Sequence, residues 1–216
     1  NSISYMKWTD EYWPLLLQMY LQKPVGIKPM YSRPLVALAL ELHIHPSVLY
    51  KKQCELSGVP SPSVSRMWKK YGSNPRKLNR VVQMIRDMKG FCHEEEFYRG
   101  VAMNETFEQM FQPIKDHERI TPIMLILLLD LYYRLTPATM VADTPEVMTL
   151  SKTMGIRVDE AVEILTAFQY CAPYLHREGA KDSCLMEACR KVWGEYGNID
   201  PNELMAQAEQ LRHYFG

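Results

Sequence analysis

No stretch of this chain is long and apolar enough to cross a membrane. The longest run without a polar residue in the 216-residue sequence, residues 123–129, stops at Asp130, and a spanning helix needs ~20 apolar residues. Cysteine is scarce and odd in number: Cys54, Cys92, Cys171, Cys184 and Cys189. Nothing before Trp8 has the charged start and apolar stretch of a signal peptide. Reduced thiols and a cytoplasmic location are therefore expected, and a disulfide framework is not. The chain opens on Asn1, and the expectation is a native start upstream or at Met6. Compositional bias is also missing. With 47% hydrophobic and 23% charged residues, the chain is neither collagen-like nor disordered, and it is long enough to bury a core.

Catalytic signatures are missing too. There is no Gly-rich phosphate loop, no His-Glu-x-x-His and no Cys-x-x-Cys. Cys184 and Cys189 are five apart, which does not place them on one helical face for zinc. His43 and His45 flank a turn and read as surface histidines rather than metal ligands. Cys92 and His93 are neighbours, which point apart on a helix and make no dyad. The run Glu94-Glu95-Glu96 suits a solvated first helical turn better than a metal site. No catalytic residue, no metal and no cofactor is expected.

What is present is a helical pattern with marked starts. Six dipeptides put a small polar residue before proline: Ser61-Pro62, Asn74-Pro75, Thr121-Pro122, Thr136-Pro137, Thr144-Pro145 and Asp200-Pro201. The polar oxygen accepts from an unpaired backbone N–H, while proline has no N–H to leave unpaired and its φ suits a first turn. Glu203 extends the last of these to a capping box. Apolar residues then recur at helical steps, as in Leu78, Val81, Val82, Ile85 and Met88. No alternating run beside an Asn-Gly or Asp-Gly turn marks a strand. The spacing predicts an all-α multi-helix bundle of about ten helices. Residues 123–135 are apolar on nearly every side and should form the central buried helix, with Asp130 and Arg134 as an ion pair at its edge. The 14 methionines read mostly as packing.

A net charge of zero hides an asymmetry. Residues 1–90 carry 14 Lys/Arg against 5 Asp/Glu, and residues 91–216 carry 11 against 20. Between Arg66 and Lys89 eight basic residues face only Asp87. This predicts a basic N-terminal lobe (1–90) and an acidic C-terminal lobe (91–216), with a soft boundary at residues 90–96 or one continuous domain. It points to an anionic partner for the basic lobe, or to mutual docking of the lobes.

Residues 54–67, CELSGVPSPSVSRM, resemble the helix-turn-helix of bacterial repressors, in particular the lac-repressor-like class. In this register Cys54 lets two helices approach and Gly58 supplies a turn residue with positive φ. Val59 plugs the angle between the helices, and Val64 and Met67 face the core. The resemblance implies that the second helix enters the major groove of duplex DNA. Candidate DNA-binding residues are Ser61, Ser63, Ser65, Arg66, Lys69, Lys70, Arg76, Lys77 and Arg80. The last three stand at or near the start of a further helix, a phosphate-binding arrangement. Trp68 and Tyr71, three apart, read as core anchors rather than base-stacking groups. The segment departs from the pattern at Gln53 and Ser57, where the first helix usually has apolar residues, and in having both Pro60 and Pro62.

Two further registers fit the same template. Residues 38–49 have Ala39, Leu42, Ile44 and Leu49 in place, His43 at the turn position and Ser47, Tyr50 and Lys51 on the second helix. Residues 150–164 have Ser151, Met154, Gly155, Ile156, Ala161 and Ile164, but their second helix carries Asp159, Glu160 and Glu163, which phosphates would repel. The template therefore also describes helix pairs used for packing. The leading expectation is a non-enzymatic, bacterial-type, cytoplasmic regulator binding duplex DNA through its basic lobe, with the acidic lobe as a dimerisation or effector region. The alternative is a helical interaction or scaffold protein with another protein as partner. Neither involves a membrane.

Overall fold

The computed structural model describes residues 8–88, 91 and 107–216. The fold is all-α, with ten α-helices, short 3-10 turns and no strand among the described residues. The chain divides into two compact units, Asn1–Glu105 and Thr106–Gly216. The expected boundary at Gly90 and residues 92–96, with Cys92, His93 and Glu94-Glu95-Glu96, lies outside the described residues. The first unit carries 15 basic and 9 acidic residues, the second 10 and 16.

Unit 1 contains α1 (Trp13–Leu21), α2 (Arg33–Leu42), α3 (Pro46–Ser57), α4 (Pro62–Tyr71) and α5 (Pro75–Arg86). Unit 2 contains α6 (Pro122–Tyr132), α7 (Pro145–Met154), α8 (Val158–Cys171), α9 (Cys184–Tyr196) and α10 (Pro201–Arg212). All six cap–proline dipeptides begin a helical segment. Ser61 Oγ accepts from the Val64 N–H at 3.4 Å, Asn74 Oδ1 from Lys77 at 3.0 Å and Asp200 Oδ1 from Asn202 at 2.8 Å. Thr121 and Thr144 make no side-chain cap, so there the proline alone marks the start.

The core of each unit is its first helix. Every residue of α6 from Ile123 to Tyr132 is buried, which is why this helix is apolar on all sides. Asp130 is tolerated there because Arg134 Nη2 donates to its carboxylate at 2.9 Å. In unit 1, Leu15, Leu16 and Leu17 of α1 are no more than 2% exposed, each contributing ~1.5–3 kcal/mol of burial. Met19, Met67, Met124, Met140, Met154 and Met186 are buried, whereas Met84, Met88, Met148 and Met205 lie exposed rather than packed.

The second unit repeats the first. Helix α1 packs on α2, α3, α4 and α5, and α6 packs on α7, α8, α9 and α10. Residues 13–45 align with 125–157 without a gap, keeping Leu15/Leu127, Tyr20/Tyr132, Leu38/Leu150 and Ile44/Ile156. Farther on, Trp68-x-x-Tyr71-Gly72 matches Trp193-x-x-Tyr196-Gly197, and Leu78, Val82, Ile85 and Arg86 match Leu204, Ala208, Leu211 and Arg212. The geometry agrees. Tyr20 and Trp68 meet edge-on at 5.8 Å and 87°, and Tyr132 and Trp193 do so at 5.6 Å and 85°.

Candidate nucleic-acid interface

Helix α4 is built from a cap, a first-turn proline and the buried set Val64, Met67 and Tyr71. This stripe turns Arg66, Lys69 and Lys70 outward, and all three are exposed. The late position of Lys69 and Lys70 also suits the negative end of the helix dipole. Gly72 follows α4, and a Cβ there would lie 2.6 Å from the Trp68 carbonyl oxygen and 2.8 Å from its ring. Helix α5 then starts at Asn74-Pro75. Leu78, Val82 and Ile85 face the core, so Arg76, Lys77 and Arg80 are exposed.

The two helices bring their cations together at one ring. Lys70 Nζ of α4 lies 5.3 Å, and Lys77 Nζ of α5 5.9 Å, from the centre of Tyr71. None of the six basic residues makes an ion pair with a described residue. Four of the described acids of unit 1 are engaged elsewhere: Asp10 by Trp13, Glu41 by Arg86, Glu55 by Lys52 and Asp87 by Gln83. Ser61 and Ser63 are exposed and 3.1 Å apart through their hydroxyls, while Ser65 is half-buried. Trp68 donates to the Leu56 carbonyl at 3.2 Å and packs on Tyr20, and Tyr71 is buried. Neither ring is open for base stacking.

The turn between α3 and α4 differs from the expected one. Gly58 is extended, with φ −89° and ψ −154°, so it supplies no left-handed residue. Val59 is 99% exposed and plugs nothing. The cause is the following sequence. Pro60 and Pro62 push the residues before them into extended backbone, which opens the connection. Gln53, a polar departure from the template, is fully buried because its side chain bonds the Lys28 backbone.

The left-handed turn appears in the other two registers. His43 has φ 56° and ψ 33°, and Gly155 has φ 70° and ψ 27°. Both are closed by the same bond from two residues after the helix, Ile44 N–H to Ala39 O and Ile156 N–H to Ser151 O, each 3.1 Å. His43 is therefore buried in a helix junction rather than set on the surface, and His45 is half-buried as the α3 cap. On α3, Tyr50 and Lys51 are exposed and Ser47 is half-buried.

Cys54, Cys171, Cys184 and Cys189 are free thiols. No group of three or more His, Cys, Asp or Glu side chains gathers at metal-binding range among the described residues. No helix among them is long and apolar enough to cross a membrane. Comparison of the chain with protein-family models, with curated proteins and with solved structures finds no match.

Proposed function

We propose that unit 1 is the duplex-DNA-binding part of a cytoplasmic, bacterial-type regulator, using the outward faces of α4 and α5. The observation that carries this reading is the group of six exposed cations, Arg66, Lys69, Lys70, Arg76, Lys77 and Arg80, with no acidic partner among the described residues. Phosphate contacts supply most of the affinity of such proteins, and the helix starts at Ser61 and Asn74 add backbone dipoles of the right sign. Arg66, in the middle of α4, is the candidate for reaching base edges, with Ser61 and Ser63 at the helix start beside it. Titration of the intact protein with fluorescent mixed-sequence duplex at ~50 mM salt tests the reading, since non-specific contacts are strongest at low salt. Saturable binding supports it. No binding at ~100 μM protein, weaker than ordinary non-specific affinity, removes it.

A second reading is that the helix pairs serve packing alone and the protein is an interaction scaffold. It is favoured by α7 and α8, which have the cleanest turn geometry yet carry Asp159, Glu160 and Glu163 on the second helix.

A further inference from the structure

The repeat places a hollow at the same position in both units, but only one is filled. In unit 1 it lies between α1, α2 and α5, has a volume of about 160 Å³ and is lined by Gln22, Ala37, Leu38, Glu41 and Arg86 among others. Arg86 closes it with a two-pronged pair. Its Nε donates to Glu41 Oε1 at 2.6 Å and its Nη2 to Oε2 at 3.1 Å.

In unit 2 the hollow lies between the end of α6, α7 and α10 and has a volume of about 250 Å³. Arg134, Thr149, Leu150, Thr153 and Arg212 stand where Gln22, Ala37, Leu38, Glu41 and Arg86 stand in unit 1. The carboxylate is gone, because Thr153 replaces Glu41. The Thr153 hydroxyl is spent on its own helix, donating to the Thr149 carbonyl at 3.0 Å. Arg212 Nε, the same atom that Arg86 uses on Glu41, is buried without a hydrogen-bond partner. A buried guanidinium N–H without an acceptor is costly. Arg134 is half exposed beside it and uses one nitrogen on Asp130, which leaves most of its N–H groups for a second acceptor. Glu146 also lines this hollow, but it is seven residues before Thr153 on α7, two turns or ~10 Å along the axis. It makes no ion pair with Arg212.

We propose that this hollow is a binding site for a small carboxylate anion, held on Arg212 as the Glu41 carboxylate is held on Arg86. Guanidinium and carboxylate match in a planar two-bond fork, and the first unit displays that fork made within the chain. The hollow is smaller than the ~300–1,000 Å³ of drug-sized sites, which limits the ligand to a short organic acid. A second carboxylate on such an acid would face Arg134. The inference concerns unit 2 alone and stands or falls separately from DNA binding by unit 1.

The test uses the full chain with succinate as the probe, and sodium chloride or inorganic phosphate at matched ionic strength as controls. The readouts are the melting temperature and the side-chain Nε–H resonance of Arg212, identified by its absence in Arg212→Gln. Succinate should raise the melting temperature saturably and move that resonance. Arg212→Gln should weaken the response about tenfold or more, the loss expected for a charge-assisted bond. Thr153→Glu should rebuild the unit 1 arrangement, raise the melting temperature without ligand and abolish the succinate response. Three results would overturn the proposal: no effect of succinate beyond chloride, a Thr153→Glu protein that responds like the wild type, or phosphate acting at Arg212 as strongly as succinate.

Discussion

The Gln53 side chain pairs with both backbone groups of Lys28, 25 residues away. Its Oε1 accepts the Lys28 N–H at 2.9 Å and its Nε2 donates to the Lys28 carbonyl. This fastens the α1–α2 connection onto α3. Lys28 then turns its ammonium inward, donating to the carbonyls of Tyr20, Gln22, Pro24 and Gly26 at 2.7–3.2 Å. A lysine 6% exposed thus does for this loop what a bound cation would. The second unit has Met140 and Leu165 at the matching positions, both buried, so the same place is held by apolar packing.

Replacing Gln53 by Leu should therefore be far costlier than its burial suggests. It strands the Lys28 N–H and carbonyl together, at ~1–3 kcal/mol each. Urea unfolding should show a loss of about 2–6 kcal/mol, with amide exchange accelerated first over residues 22–32. Lys28→Met should loosen the same segment. An unchanged midpoint in Gln53→Leu would mean that the pair contributes nothing net.

Gly72 and Gly197 are fixed by crowding, not by backbone angle. Both sit at ordinary right-handed φ, −60° and −70°. A Cβ would meet the carbonyl and ring of Trp68 in the first case, and those of Trp193 at 2.5 and 3.1 Å in the second. Gly72→Ala and Gly197→Ala should each cost ~1–3 kcal/mol through overpacking. Near-ultraviolet circular dichroism should change as the indole is displaced from Tyr20 or Tyr132. A stabilised Gly72→Ala protein would contradict the close approach.

His45 should make the acid limb of stability steeper. Its Nδ1 accepts the Ser47 N–H at 3.1 Å and caps α3, which only the neutral ring can do. Burial holds its pKa below the ordinary 6.5. The unfolded chain thus takes up the proton first, so the contribution is complete above pH 6.5 and is lost as the pH falls through the folded-state value. His45→Asn keeps an acceptor that does not titrate. Its unfolding midpoint should fall less than the wild type's between pH 7 and pH 5. Parallel acid limbs would show that another group is responsible.

The helices were legible in the sequence because cap, proline and apolar spacing are local and agree. The exposed cations of α4 and α5 followed from the same spacing. The α3–α4 turn was not legible in the same way: Gly58 in this motif suggests positive φ, but two prolines downstream impose an extended path. The burial of Lys28 was hidden because a lysine reads as surface, and its partners come from backbone carbonyls and from a glutamine on another helix. The repeat was hidden for a different reason. Its registers shift from 112 residues at Tyr20/Tyr132 to 125 at Trp68/Trp193, because α8 is two residues longer than α3, twelve residues stand before α9 where four stand before α4, and Trp193 lies three residues farther into its helix than Trp68.

If unit 1 binds duplex DNA, Arg66 and Lys70 should contribute through different interactions. Arg66 is exposed on α4 opposite Val64 and Met67, where a helix laid in the major groove reaches base edges, and arginine is the usual two-pronged reader of guanine. Arg66→Ala should cost ~1–3 kcal/mol of binding and relax sequence preference. Lys70 is one turn on, beside the Tyr71 ring that Lys77 also approaches, and should touch phosphate. Lys70→Ala should weaken all sequences about equally and lower the salt slope by ~1. Unit 2, with 10 basic and 16 acidic residues, must keep its field off the duplex for either effect to appear. Titrations of both variants across a salt series separate the two interactions. Equal, sequence-independent losses with equal slope changes would reduce Arg66 to a phosphate contact and remove the recognition role from α4.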